Sequence, residues 1–75
     1  MSLAKKIACL RKRNLMSQEE LSERLGVSRQ AVSKWEAAES VPDIANLVRL
    51  SALFGVSVDF MVKDGCGTAE TETLS

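Results

Sequence analysis

The chain is 75 residues long, which leaves room for one small domain with a single core and excludes a second. Its composition, 45% apolar and 27% charged with a single proline, is that of an ordinary globular chain, and it lies outside the disordered, collagen-like and disulfide-scaffold ranges. The formal net charge of zero conceals an asymmetry: Asp64, Glu70 and Glu72 all follow the last base, Lys63, so residues 1–63 carry a net charge of +3, a mild pointer to an anionic partner.

Leu3, Ile7 and Leu10 recur at spacings of four and three and predict a first helix. Its Lys5, Lys6, Arg11, Lys12 and Arg13 are accompanied by no acid. Lys5, Lys6, Lys12 and Arg13 are read as outward-facing, either adding positive field or simply keeping the helix soluble. The helix is expected to stop at Asn14, which tolerates the left-handed conformation of helix C-termini. In Met16-Ser17-Gln18-Glu19-Glu20-Leu21, Ser17 and Glu20 form a capping box, and Met16 and Leu21 stand at the positions of a hydrophobic staple. Leu21 and Leu25 give the second helix its buried stripe, and Gly26 ends it.

Ser28 caps a third helix from Arg29 to about Ala37, with Val27 and Val32 again at staple spacing and Val32 and Trp35 facing inward. Pro42 and Asp43 open a fourth helix whose Ile44, Leu47, Val48, Leu50 and Phe54 are expected to face the core until Gly55. Ser57 caps a short last helix, Val58 to Val62, with Val56 and Met61 repeating the staple. No strand pattern and no internal repeat is found. The expected fold class is all-α, a compact five-helix bundle over residues 3–62, followed over residues 63–75 by a flexible C-terminal tail or linker.

Absent residues narrow the chemistry. There is no histidine and no tyrosine, and the two cysteines, Cys9 and Cys66, share no CxxC motif. Ser-His and Cys-His nucleophile pairs cannot be built, and zinc sites need clustered ligands. The chain is therefore not expected to be an enzyme, and no cofactor and no metal are expected. Both cysteines are read as reduced thiols of a cytoplasmic protein. No apolar run suffices to cross a bilayer, and residues 1–6 lack the apolar stretch of a secretory signal, so no membrane partner is expected.

The constellation that carries function lies between Gln18 and Ala37. It combines apolar Leu21, Leu25, Val27, Val32 and Trp35 with a small Ser22 and with Gly26 at the turn. Two helices crossing steeply at short range need a small contact residue, a glycine where φ is positive, and large apolar residues on their inner faces. This is a helix-turn-helix pattern.

The wider sequence resembles the Cro and lambda-repressor (XRE-type) helix-turn-helix domains. The resemblance rests on Leu10-Arg11-Lys12-Arg13, on Ser17-Gln18-Glu19-Glu20-Leu21, on Leu25-Gly26-Val27-Ser28-Arg29-Gln30-Ala31-Val32-Ser33-Lys34-Trp35-Glu36, on Val41-Pro42-Asp43 and on Leu53-Phe54-Gly55-Val56-Ser57. It implies a lambda-repressor-like five-helix bundle that binds double-stranded operator DNA as a homodimer. The helix starting at Arg29 then enters the major groove. Arg29, Gln30, Ser33 and Lys34 become the base-reading residues, with chemistry that suits them: Arg and Lys donate to guanine O6 and N7, and Gln bonds adenine N6 and N7. Gln18 resembles a phosphate clamp, joined by Ser17 and Ser28, whose first role is capping. Arg11 and Glu36 resemble a structural pair tying the first helix to the end of the third.

Two positions depart from the family pattern. Many relatives have a glycine near Ala38 and a base near Glu39. Ala38 is expected to let the third helix run one or two residues longer, and Glu39 to weaken phosphate anchoring. Val58, Phe60, Met61 and Val62 are more apolar than so short a helix needs and are read as a homodimer seam or partner surface. The resulting function is a sequence-specific transcriptional regulator, a repressor on a two-fold symmetric operator. The alternative is an antitoxin-like or adaptor protein-interaction module in which DNA binding is secondary.

Overall fold

The computed structural model describes residues 2–63; the tail from Asp64 onward and the Cys66 thiol lie outside the described residues. Five helices follow one another: α1 (Leu3–Arg13), α2 (Gln18–Leu25), α3 (Arg29–Glu36), α4 (Ile44–Phe54) and α5 (Val58–Val62), with no strand among the described residues. Each begins the same way. The side chains of Ser2, Ser17, Ser28, Asp43 and Ser57 accept from the backbone N–H groups of Lys5, Glu20, Ala31, Asn46 and Phe60. Such a cap satisfies one orphan donor of the first turn and contributes about 1 kcal/mol per helix.

The helix ends divide into expected and unexpected ones. Gly26 and Gly55 close α2 and α4 at φ 75° and 71°, in the left-handed region that glycine occupies without penalty. Asn14 does not do the same for α1. Its φ is −94°, its side-chain amide turns back to donate to the Leu10 carbonyl at 2.8 Å, and the left-handed turn falls on Leu15 at φ 58°. Nor does Ala38 prolong α3. The helix stops at Glu36 and Ala38 itself is left-handed at φ 63°. The reversed chain satisfies the last carbonyls, Ala38 N–H donating to Trp35 O at 3.2 Å and Glu39 N–H to Lys34 O at 2.9 Å; Pro42, further on, is buried.

Ile7, Leu10, Met16, Leu21, Leu25, Val32, Trp35, Leu50 and Met61 form one continuous core. Two of the α4 residues expected to face inward are instead exposed: Ile44 is 73% and Val48 50% exposed. The inward stripe of α4 is Leu47, Leu50 and Ser51. Val48 sits one residue off that stripe, and Ile44 lies in the first turn, ahead of the first buried residue of the helix, Leu47.

The larger correction is Lys6, which is not outward-facing but buried. Its ammonium donates to Phe60 O at 2.6 Å and to Lys63 O, and stands 4.4 Å from the centroid of the Phe60 ring. The last carbonyls of α5 have no helical partners of their own, and a cation at that end also meets the negative pole of the helix. Arg49 does a similar service for α2, donating to Leu25 O at 3.3 Å.

Candidate nucleic-acid interface

Gly26, Val27 and Ser28 alone separate α2 from α3, and the two helices pack directly on one another. Ser22 is buried at the crossing, its hydroxyl turned onto the Glu19 carbonyl at 2.7 Å. Val32 and Trp35 are drawn inward, and helical periodicity then leaves the opposite face of α3 to solvent. Arg29, Gln30 and Lys34 are exposed and Ser33 is half-buried. These four residues, together with Glu39 from the turn after α3, line an open cleft of about 340 Å³. Arg29 and Lys34 can only donate hydrogen bonds, Gln30 and Ser33 can both donate and accept, and Glu39 can only accept.

Ser17 and Ser28 are exposed caps whose hydroxyl oxygens accept from Glu20 N–H at 3.0 Å and Ala31 N–H at 3.1 Å. Capping uses the oxygen and leaves each hydroxyl proton available to an acceptor outside. Gln18, at the start of α2, is half-buried and spends one amide N–H on Glu36 Oε1 at 3.0 Å.

That carboxylate is the hinge of the arrangement. Arg11 Nε meets Glu36 Oε2 at 2.7 Å and Arg11 Nη2 meets Oε1 at 3.0 Å, while Nη1 donates to Met16 O at 2.8 Å. The Arg11 and Glu36 side chains are only 12% and 9% exposed. Burial pushes the Glu36 carboxyl upward, but the hydrogen bonds from Arg11 and Gln18 and the charges of Arg11 and Lys12 outweigh it and hold the group below the ordinary carboxylate range. The hydrogen bond to Glu36 in turn raises Arg11, against the opposing effect of its own burial.

The last helix does not offer the surface expected of it. Met61 is fully buried, and Val58 and Phe60 are half-buried. Only Val62, 51% exposed, remains outward. Met61 belongs to the core and Phe60 packs against it, because α5 packs against both α1 and α4. A seam built from all four residues is therefore not available, and Met61 has no part in one.

Sequence reasoning missed Lys6, Arg49 and the bond from Gln18 to Glu36. A signal existed for Lys6, which lies in phase with Leu3, Ile7 and Leu10 on the apolar stripe of α1. No comparable signal marks Arg49. Among the described residues no group of His, Cys, Asp or Glu is placed to hold a metal ion, and no helix is long and apolar enough to cross a membrane.

Residues 3–61 match the helix-turn-helix family. Across its whole length the chain is 36% identical to the HTH-type transcriptional activator BcrR of Enterococcus faecalis, of which it covers 38%. Over 81% of its length it is 34% identical to repressor protein C2 of Salmonella phage P22, of which it covers 28%. The chain thus spans less than half the length of these curated relatives. Among solved structures, the P22 c2 repressor in complex with a synthetic operator superposes with a TM-score of 0.80 at 33% identity, covering 84% of this chain and 96% of that one. The biofilm regulator SinR in complex with DNA gives a TM-score of 0.73 at 32% identity, covering 79% and 95% respectively.

Proposed function

The chain belongs to the helix-turn-helix family, and from that premise we propose that it is a sequence-specific DNA-binding transcriptional regulator, a repressor that occupies a two-fold symmetric operator with the start of α3 in the major groove. The observation that carries this reading is the cleft of Arg29, Gln30, Ser33 and Lys34 on the exposed face of a helix whose other face is locked into the core. In this role Arg29 and Lys34 donate to guanine O6 and N7, Gln30 bonds adenine, and Ser33 adapts to either. The remaining amide N–H of Gln18 and the hydroxyl protons of Ser17 and Ser28 serve phosphates beside the groove. Such contacts fix register without reading sequence. The partner is double-stranded DNA, and with it goes a cytoplasmic location.

Operator symmetry implies two copies, and Val62, with the half-buried Val58 and Phe60, is the apolar surface that α5 leaves to meet a second. The protein-interaction alternative relied on an apolar last helix, and its support shrinks with the burial of Met61. Selection of bound sequences from a random duplex library tests the reading: it should yield inverted repeats with half-site centres about 34–36 Å apart. Recovery of no preferred sequence would refute it. A reporter with the recovered site placed across the promoter should be silenced. Stimulation instead would assign the activating role that the Enterococcus relative is named for.

A further inference from the structure

We propose that Glu39 is a base-reading residue that selects cytosine at one position of each half-site. The inference rests on the DNA-binding reading above and adds to it an acceptor that the resemblance treats only as a missing base. Glu39 lies outside α3, yet it lines the same cleft as Arg29, Gln30, Ser33 and Lys34. Its place there is set by the backbone: the left-handed turn at Ala38 folds the chain back, and Glu39 N–H closes onto Lys34 O at 2.9 Å. The side chain is exposed. Although two cations share the cleft, its carboxylate has no hydrogen-bond or ion-pair partner among the described residues.

A carboxylate held at a duplex surface is repelled by phosphates unless it finds a donor. In the major groove the bases offer two, the N4 amino group of cytosine and the N6 amino group of adenine. Adenine places the N7 acceptor beside its amino group, which opposes a second oxygen of the carboxylate. Cytosine presents no acceptor on that edge. Guanine, with O6 and N7, and thymine, with O4, present only acceptors to a group that cannot donate. The carboxylate therefore favours cytosine over adenine and rejects guanine and thymine, in a cleft otherwise dominated by donors suited to purines.

The test compares the full chain with Glu39→Ala and Glu39→Gln in duplex-library selection, followed by titration of the recovered sites. The wild type should require cytosine at one position per half-site. Glu39→Ala should lose roughly tenfold or more of that preference. Glu39→Gln should shift it toward adenine, because an amide both accepts from N6 and donates to N7. A base change of that kind does not follow from removing a repulsive charge. If both variants bind every duplex more tightly by one common factor and leave the selected sequence unchanged, Glu39 only repels the backbone and the inference is overturned. If the wild type itself selects no sequence, the DNA-binding reading falls and this inference falls with it.

Discussion

The side-chain amide of Gln18 donates to Glu36 Oε1 at 3.0 Å, the same oxygen that Arg11 Nη2 reaches at 3.0 Å. The first residue of α2 and the last of α3 are thereby joined through a single carboxylate, with α1 supplying the countercharge. One group closes the two-helix unit at the ends opposite its Gly26 turn. Because Glu36 is neutralised in place, its charge does not act against an anion approaching α2 and α3.

Removing one partner of the Arg11 and Glu36 pair leaves the other charge largely buried. Arg11→Met should lower stability by about 3 kcal/mol, whereas Lys12→Met, at an exposed position, should leave it within about 0.5 kcal/mol. Urea denaturation of the two variants at neutral pH makes the comparison. Equal midpoints would show that the pair is not a stabilising element.

The same pair sets a pH dependence. Glu36 is held below its ordinary value in the folded chain, so its ionised form stabilises the fold at any pH above the unfolded carboxylate value of about 4.3. That stability is lost as the pH falls through the lower, folded value. The stability gap between wild type and Glu36→Gln should accordingly be full at pH 7 and narrow steadily below about pH 4. A gap of the same size at pH 3 and pH 7 would mean that packing, not charge, is responsible.

Ala38 and Leu15 occupy left-handed backbone at φ 63° and 58°. An L side chain there costs about 1–2 kcal/mol, offset in part by the greater freedom that glycine restores to the unfolded chain. Ala38→Gly and Leu15→Gly should each raise stability by about 0.5–1 kcal/mol. Gly26→Ala should do the reverse by about 1 kcal/mol, and for conformational reasons alone, because a Cβ there would meet nothing within 4 Å. Chemical denaturation of the three variants checks both signs.

Lys6→Met keeps an apolar stem but abandons the carbonyls of Phe60 and Lys63. The expected cost is about 1–3 kcal/mol, the range for a buried acceptor left unsatisfied. Hydrogen exchange should show faster opening at Met61 and Lys63, whose N–H groups donate to Ser57 O and Asp59 O, with the α2 and α3 amides unchanged. Uniform acceleration throughout the chain would argue against a local clamp.

Gln30→Ala and Lys34→Ala should each weaken binding to the preferred duplex by about 1–3 kcal/mol and relax the preference at one base position per half-site. Gln18→Ala should weaken all duplexes by a common factor without altering the preference. The salt dependence should barely change with Gln18, which is neutral, while losing a cationic phosphate contact lowers the slope by about one. Duplex titrations at several salt concentrations separate the cases.

Helix starts were the most legible part of the sequence, because a cap is a local transaction. Ser17 and Glu20, or Ser28 and Ala31, lie within four residues of each other, and nothing distant can overrule them. The shared face of Arg29, Gln30, Ser33 and Lys34 was legible for the same reason, since helical period alone brings them together. What failed depended on the surroundings. A lysine was assigned to solvent by its charge, although the stripe it occupies and the open carbonyls of α5 drew Lys6 inside. Ala38 lacks the freedom of glycine, yet the turn that closes Glu39 N–H onto Lys34 O holds it in a left-handed conformation. Met61 belonged to an apolar cluster whose destination, core or partner, depended on how closely α5 packs on α1 and α4.

Lys6 and Arg11 are both on α1, and each holds a different part of the molecule: one the end of α5, the other the end of α3. Five residues apart on a helix, they are offset by about 7.5 Å along the axis and about 140° around it. Each partner is therefore tied not only to a residue but to an angle. Substitutions at exposed Lys5 or Lys12 leave both ties in register, whereas deleting a single residue between Lys6 and Arg11 would rotate one clamp by about 100° away from its partner. The first helix can thus vary in composition on its outer face but not in length between its two fixed points.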